Sequence, residues 1–121
     1  MITKSLGYVV DVLIAAGIDA SIDPQKINPP AVWVSARRLA RPKLGGPADV
    51  VVDVFLITRD AGIDSAIRVL EEMLETIIEV VEDDDRLELD WQDTDLGQSV
   101  TLPQGGSPLP AYKIAITVEN E

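Results

Sequence analysis

The sequence predicts an α+β fold, in which a mostly antiparallel sheet of about four strands carries two helices packed on one face. Three segments support this prediction. Residues 49–58 and 112–119 have the composition and the two-residue period of strands, and residues 63–81 repeat apolar side chains at helical spacing. The chain has 121 residues, of which 46% are hydrophobic, so it can bury a real core, and we expect one domain over residues 1–121.

The first helix is predicted from apolar residues that recur at helical spacing between positions 6 and 14. Thr3 can cap its start, because a hydroxyl accepts a hydrogen bond from a free backbone N–H of the first turn. Gly17 can end it, because the left-handed conformation costs glycine little. A loop is expected over residues 19–30.

Two strands are predicted next, over residues 31–36 and 49–58. The segment between them, residues 37–47, is rich in Arg, Pro and Gly and is expected to form a connection. The second of these strands is apolar on both faces, which is typical of a central strand. Asp53 is the exception in it and requires a partner or a wet edge.

The long second helix is predicted over residues 63–81, with Asp60 as its N-cap. One continuous stripe of the helix is apolar and is expected to lie on the sheet, and the other side is acidic. The stripe comprises Ile63, Ala66, Ile67, Leu70, Met73, Leu74, Ile77, Ile78 and Val81, and the acidic side includes Glu71, Glu72, Glu75 and Glu79.

The end of the chain predicts a third strand region and a hairpin. Residues 87–91 alternate, and residues 93–97 are expected to form a turn or bulge. The alternating segments 100–102 and 112–118 flank a Pro- and Gly-rich loop over residues 103–110. This pattern predicts an antiparallel hairpin with a long loop.

The composition excludes several function classes. The net charge of −11 disfavours binding of nucleic acid through a broad face, because phosphates repel carboxylates. The chain has no Cys and no His, which removes thiol nucleophiles, disulfides and imidazole bases. We therefore expect no enzyme, no catalytic residue and no cofactor. The apolar stretch over residues 9–18 is interrupted by Asp11, so we also expect no signal peptide and no membrane span.

The carboxylates at 83–85, with Asp93 and Asp95, are candidates for binding a hard cation through oxygen ligands. The segment 93–97, however, lacks the further carboxylates of a calcium loop. A glycosidase pair would need aromatic platforms, and the chain has only two Trp and two Tyr. We expect a solvated acidic surface and no metal site.

A basic cluster stands out in this acidic chain, because four of its ten Lys and Arg residues lie between positions 37 and 43. One interpretation is charge that guards an edge strand against aggregation. A second is an arm that docks on the acidic helix of a second copy, a heterologous contact that closes into a ring if the rotation allows. A third is contact with nucleic acid, which the absence of aromatic stacking partners nearby disfavours. The basic residues are Arg37, Arg38, Arg41 and Lys43, and the candidate acidic partner face is Glu71, Glu72, Glu75 and Glu79.

The loop over residues 103–110 has two interpretations as well. It is either a mobile hairpin tip or a contact arm that becomes ordered on assembly. Its candidate contacts to another copy or to a partner are Gln104, Gly105, Gly106 and Leu109.

Five segments together resemble the tail terminator proteins of long-tailed bacteriophages, in particular those that infect actinobacteria. The segments are residues 15–18, 27–34, 50–57, 63–81 and 109–118.

The resemblance implies a hexameric ring on the head-proximal end of the phage tail tube, which stops tube polymerisation and provides the surface for head–neck joining. It implies a protein of the virion that is assembled in the host cytoplasm. Its partners would be further copies of itself, the tail tube protein and a head–neck connector or head-closure protein. DNA would pass through the ring without specific binding. The alternatives are another neck component, such as a head-closure or tail-completion protein, or a small acidic protein-binding regulator.

Overall fold

The computed structural model of the chain describes residues 2–40, 48–60 and 62–119. It confirms an α+β fold with two long helices. The elements in chain order are α1 (Ile2–Ala15), β1 (Ala20–Ser21), a short 3₁₀ helix (Pro24–Lys26), β2 (Ala31–Ala40), β3 (Asp49–Ile57), α2 (Ile63–Glu82), β4 (Leu87–Val100) and β5 (Leu109–Val118).

The strands form one five-stranded sheet in the order β1-β2-β3-β5-β4. All neighbouring strands are antiparallel except β1 and β2, which makes the sheet mixed. The expectation of about four strands missed β1, which lies within the predicted loop over residues 19–30. Its two residues pair with Val32 and Trp33 of β2, and a two-residue strand shows no period in the sequence.

β3 lies in the middle of the sheet, as its sequence predicts, between β2 and β5. Its alternate residues Val50, Val52, Val54 and Leu56 belong to a core cluster to which both helices also contribute. Both helices therefore pack on the same face of the sheet. The helix residues that are buried in this cluster are Val9, Leu13, Leu70, Ile77 and Val81.

The opposite face of the sheet carries a smaller apolar cluster at one end. Its buried members are Ile27, Ala31, Ile57, Leu102 and Ala111, and we call it the second cluster. The rings of Trp33 and Phe55 stack beside it, with their centroids 5.0 Å apart.

The first helix ends at Gly17, as predicted. Gly17 has a positive φ of 86°, and the backbone N–H of Ile18 donates to the carbonyl of Leu13 at 3.0 Å. This reversal satisfies a carbonyl of the last turn. The predicted N-caps are wrong. Thr3 lies inside α1, and the N-cap of α2 is Gly62, which makes no side-chain cap bond, so Asp60 does not cap this helix.

The strand β2 continues to Ala40, so the predicted connection begins later than expected, and Arg37 and Arg38 lie in a strand. The extension is possible because β2 pairs with β3 beyond a bulge between Ala36 and Arg38. Arg41 and Lys43 of the basic cluster lie outside the described residues.

The sequence predicted a third strand region over residues 87–91 and then a turn or bulge over residues 93–97 before the hairpin. The structure has a bulge there and no turn, because one strand, β4, runs through it and is also the first strand of the hairpin. From Asp90 to Asp95 the strand advances five residues, while its partner β5 advances two, from Ala115 to Lys113. Three extra residues therefore stand outside the ladder. Between Asp95 and Gln98 a second irregularity follows.

Candidate self-association surfaces

Arg37 of the basic cluster is engaged within its own chain. Its Nη1 atom donates a 2.8 Å hydrogen bond to Oδ2 of Asp93 in the β4 bulge, and its Nε atom lies 3.8 Å from Oδ1 of Asp53. The hydrogen bond raises the pKa of Arg37 and lowers the pKa of the Asp93 carboxyl below its usual value. Arg37 thus joins β2 to the bulge of β4 across the helix-free face.

Asp53 of β3, the strand next to β2, lies beside Arg37. Its Oδ1 atom is buried without a hydrogen-bond partner, but it lies 3.8 Å from Nε of Arg37 and 3.9 Å from Nζ of Lys113. The expectation that Asp53 needs a partner is confirmed, since two cations flank it. Their charge offsets the cost of holding a carboxylate in the middle of a sheet.

The next two residues of β2 are open to solvent. Arg38 is exposed and has no ion pair or hydrogen bond from its side chain among the described residues. Leu39 is 48% exposed although it is apolar. Beyond Trp33, the outer edge of β2 has no neighbouring strand in the described part of the sheet. Arg38 and Leu39, which we call the exposed end of β2, are therefore free to contact another molecule, and Arg38 belongs to the basic cluster.

The candidate acidic partner face lies on the exposed side of α2, where its sequence places it. Glu71, Glu72, Glu75 and Glu79 are all exposed, and within the described ranges none of their carboxylates forms an ion pair. They form a solvated negative surface along the helix.

The loop of the β4–β5 hairpin is attached to its own chain. The side-chain Nε2 of Gln104 donates to the carbonyl of Ile27 at 3.0 Å, and Leu109 packs against the second cluster. Gly105 and Gly106 are exposed and have φ values of 94° and 99°. Gln104 and Leu109 are thus held by residues outside the loop. The backbone N–H of Gly105 donates to the carbonyl of Leu102 at 3.0 Å, so the two glycines form the exposed turn of the loop.

An apolar groove lies between α2 and the sheet, where the sequence predicted none. It has a volume of about 450 Å³, and we call it the α2 groove. Three of its apolar side chains are strongly exposed: Ile63 by 77%, Ile67 by 46% and Leu96 by 57%. The groove is lined by Asp60, Ile63, Ala66, Ile67, Leu70, Leu96, Gln98, Pro110, Ala111 and Tyr112.

The sequence placed Ile63 and Ile67 in the buried stripe of α2, and for these two residues that prediction is wrong. Helical spacing shows which side of a helix is apolar, but not how far along its length the sheet covers that side. In the sequence, the one visible indication of the groove was Leu96, an isolated apolar residue within the polar segment 93–97.

The described residues contain no group of three or more carboxylates arranged to hold a metal ion. In the same part of the chain, no helix is long and apolar enough to cross a membrane. Comparison with protein-family models, with curated proteins and with solved structures finds no match.

Proposed function

We propose that this chain is a structural virion protein that forms a ring on the head-proximal end of a phage tail tube. The ring stops tube polymerisation and presents its other side to the neck of the particle. The protein acts through contacts between copies and with the tube protein, and it performs no bond chemistry. The resemblance of the sequence to tail terminator proteins suggests this particular role.

The observation that carries the proposal is the separation of two unlike surfaces on one small fold. The exposed end of β2 is basic and apolar, whereas the exposed side of α2 is acidic over several turns. Opposite charges on different surfaces of one chain favour contact between copies in a head-to-tail sense. Such contacts are heterologous, and they produce a ring when the rotation between neighbours closes.

The overall charge is compatible with a ring through which DNA passes. Each copy carries −11, and a ring multiplies this charge around a central opening. Phosphates find few cations to bind on such a surface, so DNA would slide through without being held.

Electron microscopy of tails assembled with and without this protein tests the role directly. We expect tube polymers of uncontrolled length in its absence and tails of uniform length when it is restored. Tails of normal length that fail to join heads would contradict the terminator role and support a head-closure or tail-completion protein.

A second test concerns the contacts within the ring. Replacing Arg38, Arg41 and Lys43 with Ser should lower the fraction of ring measured by light scattering in the presence of tube protein, and Arg37 is retained because it binds Asp93 and flanks Asp53 in its own subunit. Lys26 is also exposed but lies on the short 3₁₀ helix, so Lys26→Ser is the matched control. Unchanged ring formation by this threefold variant would contradict a role for the basic cluster.

A further inference from the structure

We propose that the α2 groove binds the exposed end of β2 of a second copy, with Leu39 seated in the groove. The inference rests on the proposed ring and names the surfaces that join its subunits. It places the surface that binds β2 of the second copy at the start of α2, whereas the sequence pointed to the glutamates further along the same helix.

The first argument is apolar complementarity. Leu39 is 48% exposed, whereas the residues at the start of β2 are buried. The side chains of Ile63, Ile67 and Leu96 in the α2 groove are also largely exposed. Burying these surfaces against each other removes apolar area from water on both sides. The glutamate face of α2 offers no comparable apolar surface, so it leaves Leu39 without a site.

The second argument is charge. Two carboxylates are available near this end of α2: Asp60 lines the groove, and Asp64, next to the lining residue Ile63, is exposed in the first turn of the helix. Neither has an ion pair among residues 2–40, 48–60 and 62–119. Arg38 adjoins Leu39 and is equally unpaired, but its side chain leaves the opposite face of β2, so a copy that seats Leu39 brings this cation to the rim of the contact and not into the groove itself. Complementary charges at the rim of an apolar contact fix its register and speed its formation.

The third argument is position in the sheet. Leu39 pairs with Val50 at the start of β3, on the side of the sheet where β2 lies. The groove adjoins Ala111 of β5, which pairs with Ile57 at the other end of β3. The two surfaces thus occupy diagonally opposite corners of the sheet. A contact between them joins two different surfaces, so a subunit that binds through one corner can offer the other corner to the next subunit.

Disulfide cross-linking tests the contact, because the chain contains no cysteine of its own. Leu39→Cys and Ile67→Cys are prepared as separate single variants, mixed and oxidised. Glu75→Cys, on the glutamate face of the same helix, replaces Ile67→Cys in the matched control. Thermal melting by circular dichroism verifies that each variant is folded before mixing.

We expect the mixture of the first two variants to give mainly 39–67 dimers, with few 39–39 or 67–67 dimers. Adding Arg38→Glu should slow this cross-link about tenfold, and adding Asp64→Lys on the partner variant should restore it. The inference is overturned if 39–75 dimers form as fast as 39–67 dimers, or if 39–39 dimers predominate. It is also overturned if the chain remains monomeric at about 1 mM and gives no 39–67 product, which would leave the groove to another occupant.

The double variant Leu39→Cys/Ile67→Cys separates this contact from the ring function. A ladder of disulfide-linked oligomers that ends at a fixed mass supports both. A ladder without an end supports the contact and contradicts a closed ring. Rings observed by light scattering without any 39–67 cross-link contradict the contact and leave the proposed function standing.

Discussion

Two identical substitutions in α2 distinguish residues that hold the fold from residues that are free for assembly. Ile77 is fully buried in the main core, whereas Ile63 is 77% exposed at the first turn of the same helix. We expect Ile77→Ala to lower the free energy of unfolding by about 3 kcal/mol and Ile63→Ala to change it by less than about 0.5 kcal/mol.

The magnitudes follow from burial. Truncation of isoleucine to alanine removes three carbons, which contribute about 2.4 kcal/mol when fully buried, and the cavity left at Ile77 adds about 1 kcal/mol. Alanine has a higher helix propensity than isoleucine, which offsets about 0.4 kcal/mol of this loss. At Ile63 only about a quarter of the transfer term is lost, and the gain in propensity offsets most of it.

The assay is urea unfolding followed by far-ultraviolet circular dichroism, at a concentration low enough to keep the chain monomeric. Equal m-values for both variants and the parent chain would show that the comparison is valid. A loss at Ile63 as large as the loss at Ile77 would refute the reasoning, because it would mean that Ile63 is packed within its own subunit.

Three further predictions concern single contacts. Tyr8→Phe removes the 2.6 Å hydrogen bond from the phenol to Asp84 and should lower the free energy of unfolding by about 1 kcal/mol, measured by urea unfolding. Gly17→Ala should cost about 1 kcal/mol in the same assay, because alanine is strained at a φ of 86°; no loss would contradict the left-handed helix end. Arg37 lowers the pKa of Asp93, so the Arg37–Asp93 contact contributes stability above the ordinary carboxyl range and loses it as the pH falls through the lowered pKa. Arg37→Gln should therefore raise the pKa of Asp93 in an NMR titration, and an unchanged value would contradict the contact.

The parts of the fold that the sequence predicted well are those with a strong local period. The apolar residues of α2 repeat at helical spacing over its whole length, so the sequence predicts a helix there. The residues of β3 are apolar on both faces, so the sequence predicts a strand in the middle of the sheet. Gly17 was identifiable because glycine adopts the left-handed conformation of a helix end at the least cost.

The remaining features depend on contacts between distant segments. The pairing that extends β2 to Ala40 and the contact of Arg37 with Asp93 are set by strands far apart in the chain. The exposure of Ile67 depends on where the sheet stops covering α2, and no local pattern records that limit. The basic cluster was visible as a concentration of charge, but its division into an internally engaged Arg37 and an exposed Arg38 was not.

The bulge in β4 determines where this chain tolerates a change of length. Between Asp90 and Asp95 the strand carries four residues that pair with nothing in β5, three more than the single residue opposite them, so losing or gaining one there leaves the ladder on either side in place. A one-residue insertion between Leu87 and Leu89 would instead turn the inward side chains of that segment toward solvent. Peptide tags or reporter insertions therefore belong between the exposed residues Trp91 and Gln92, and not beside Asp93, which binds Arg37.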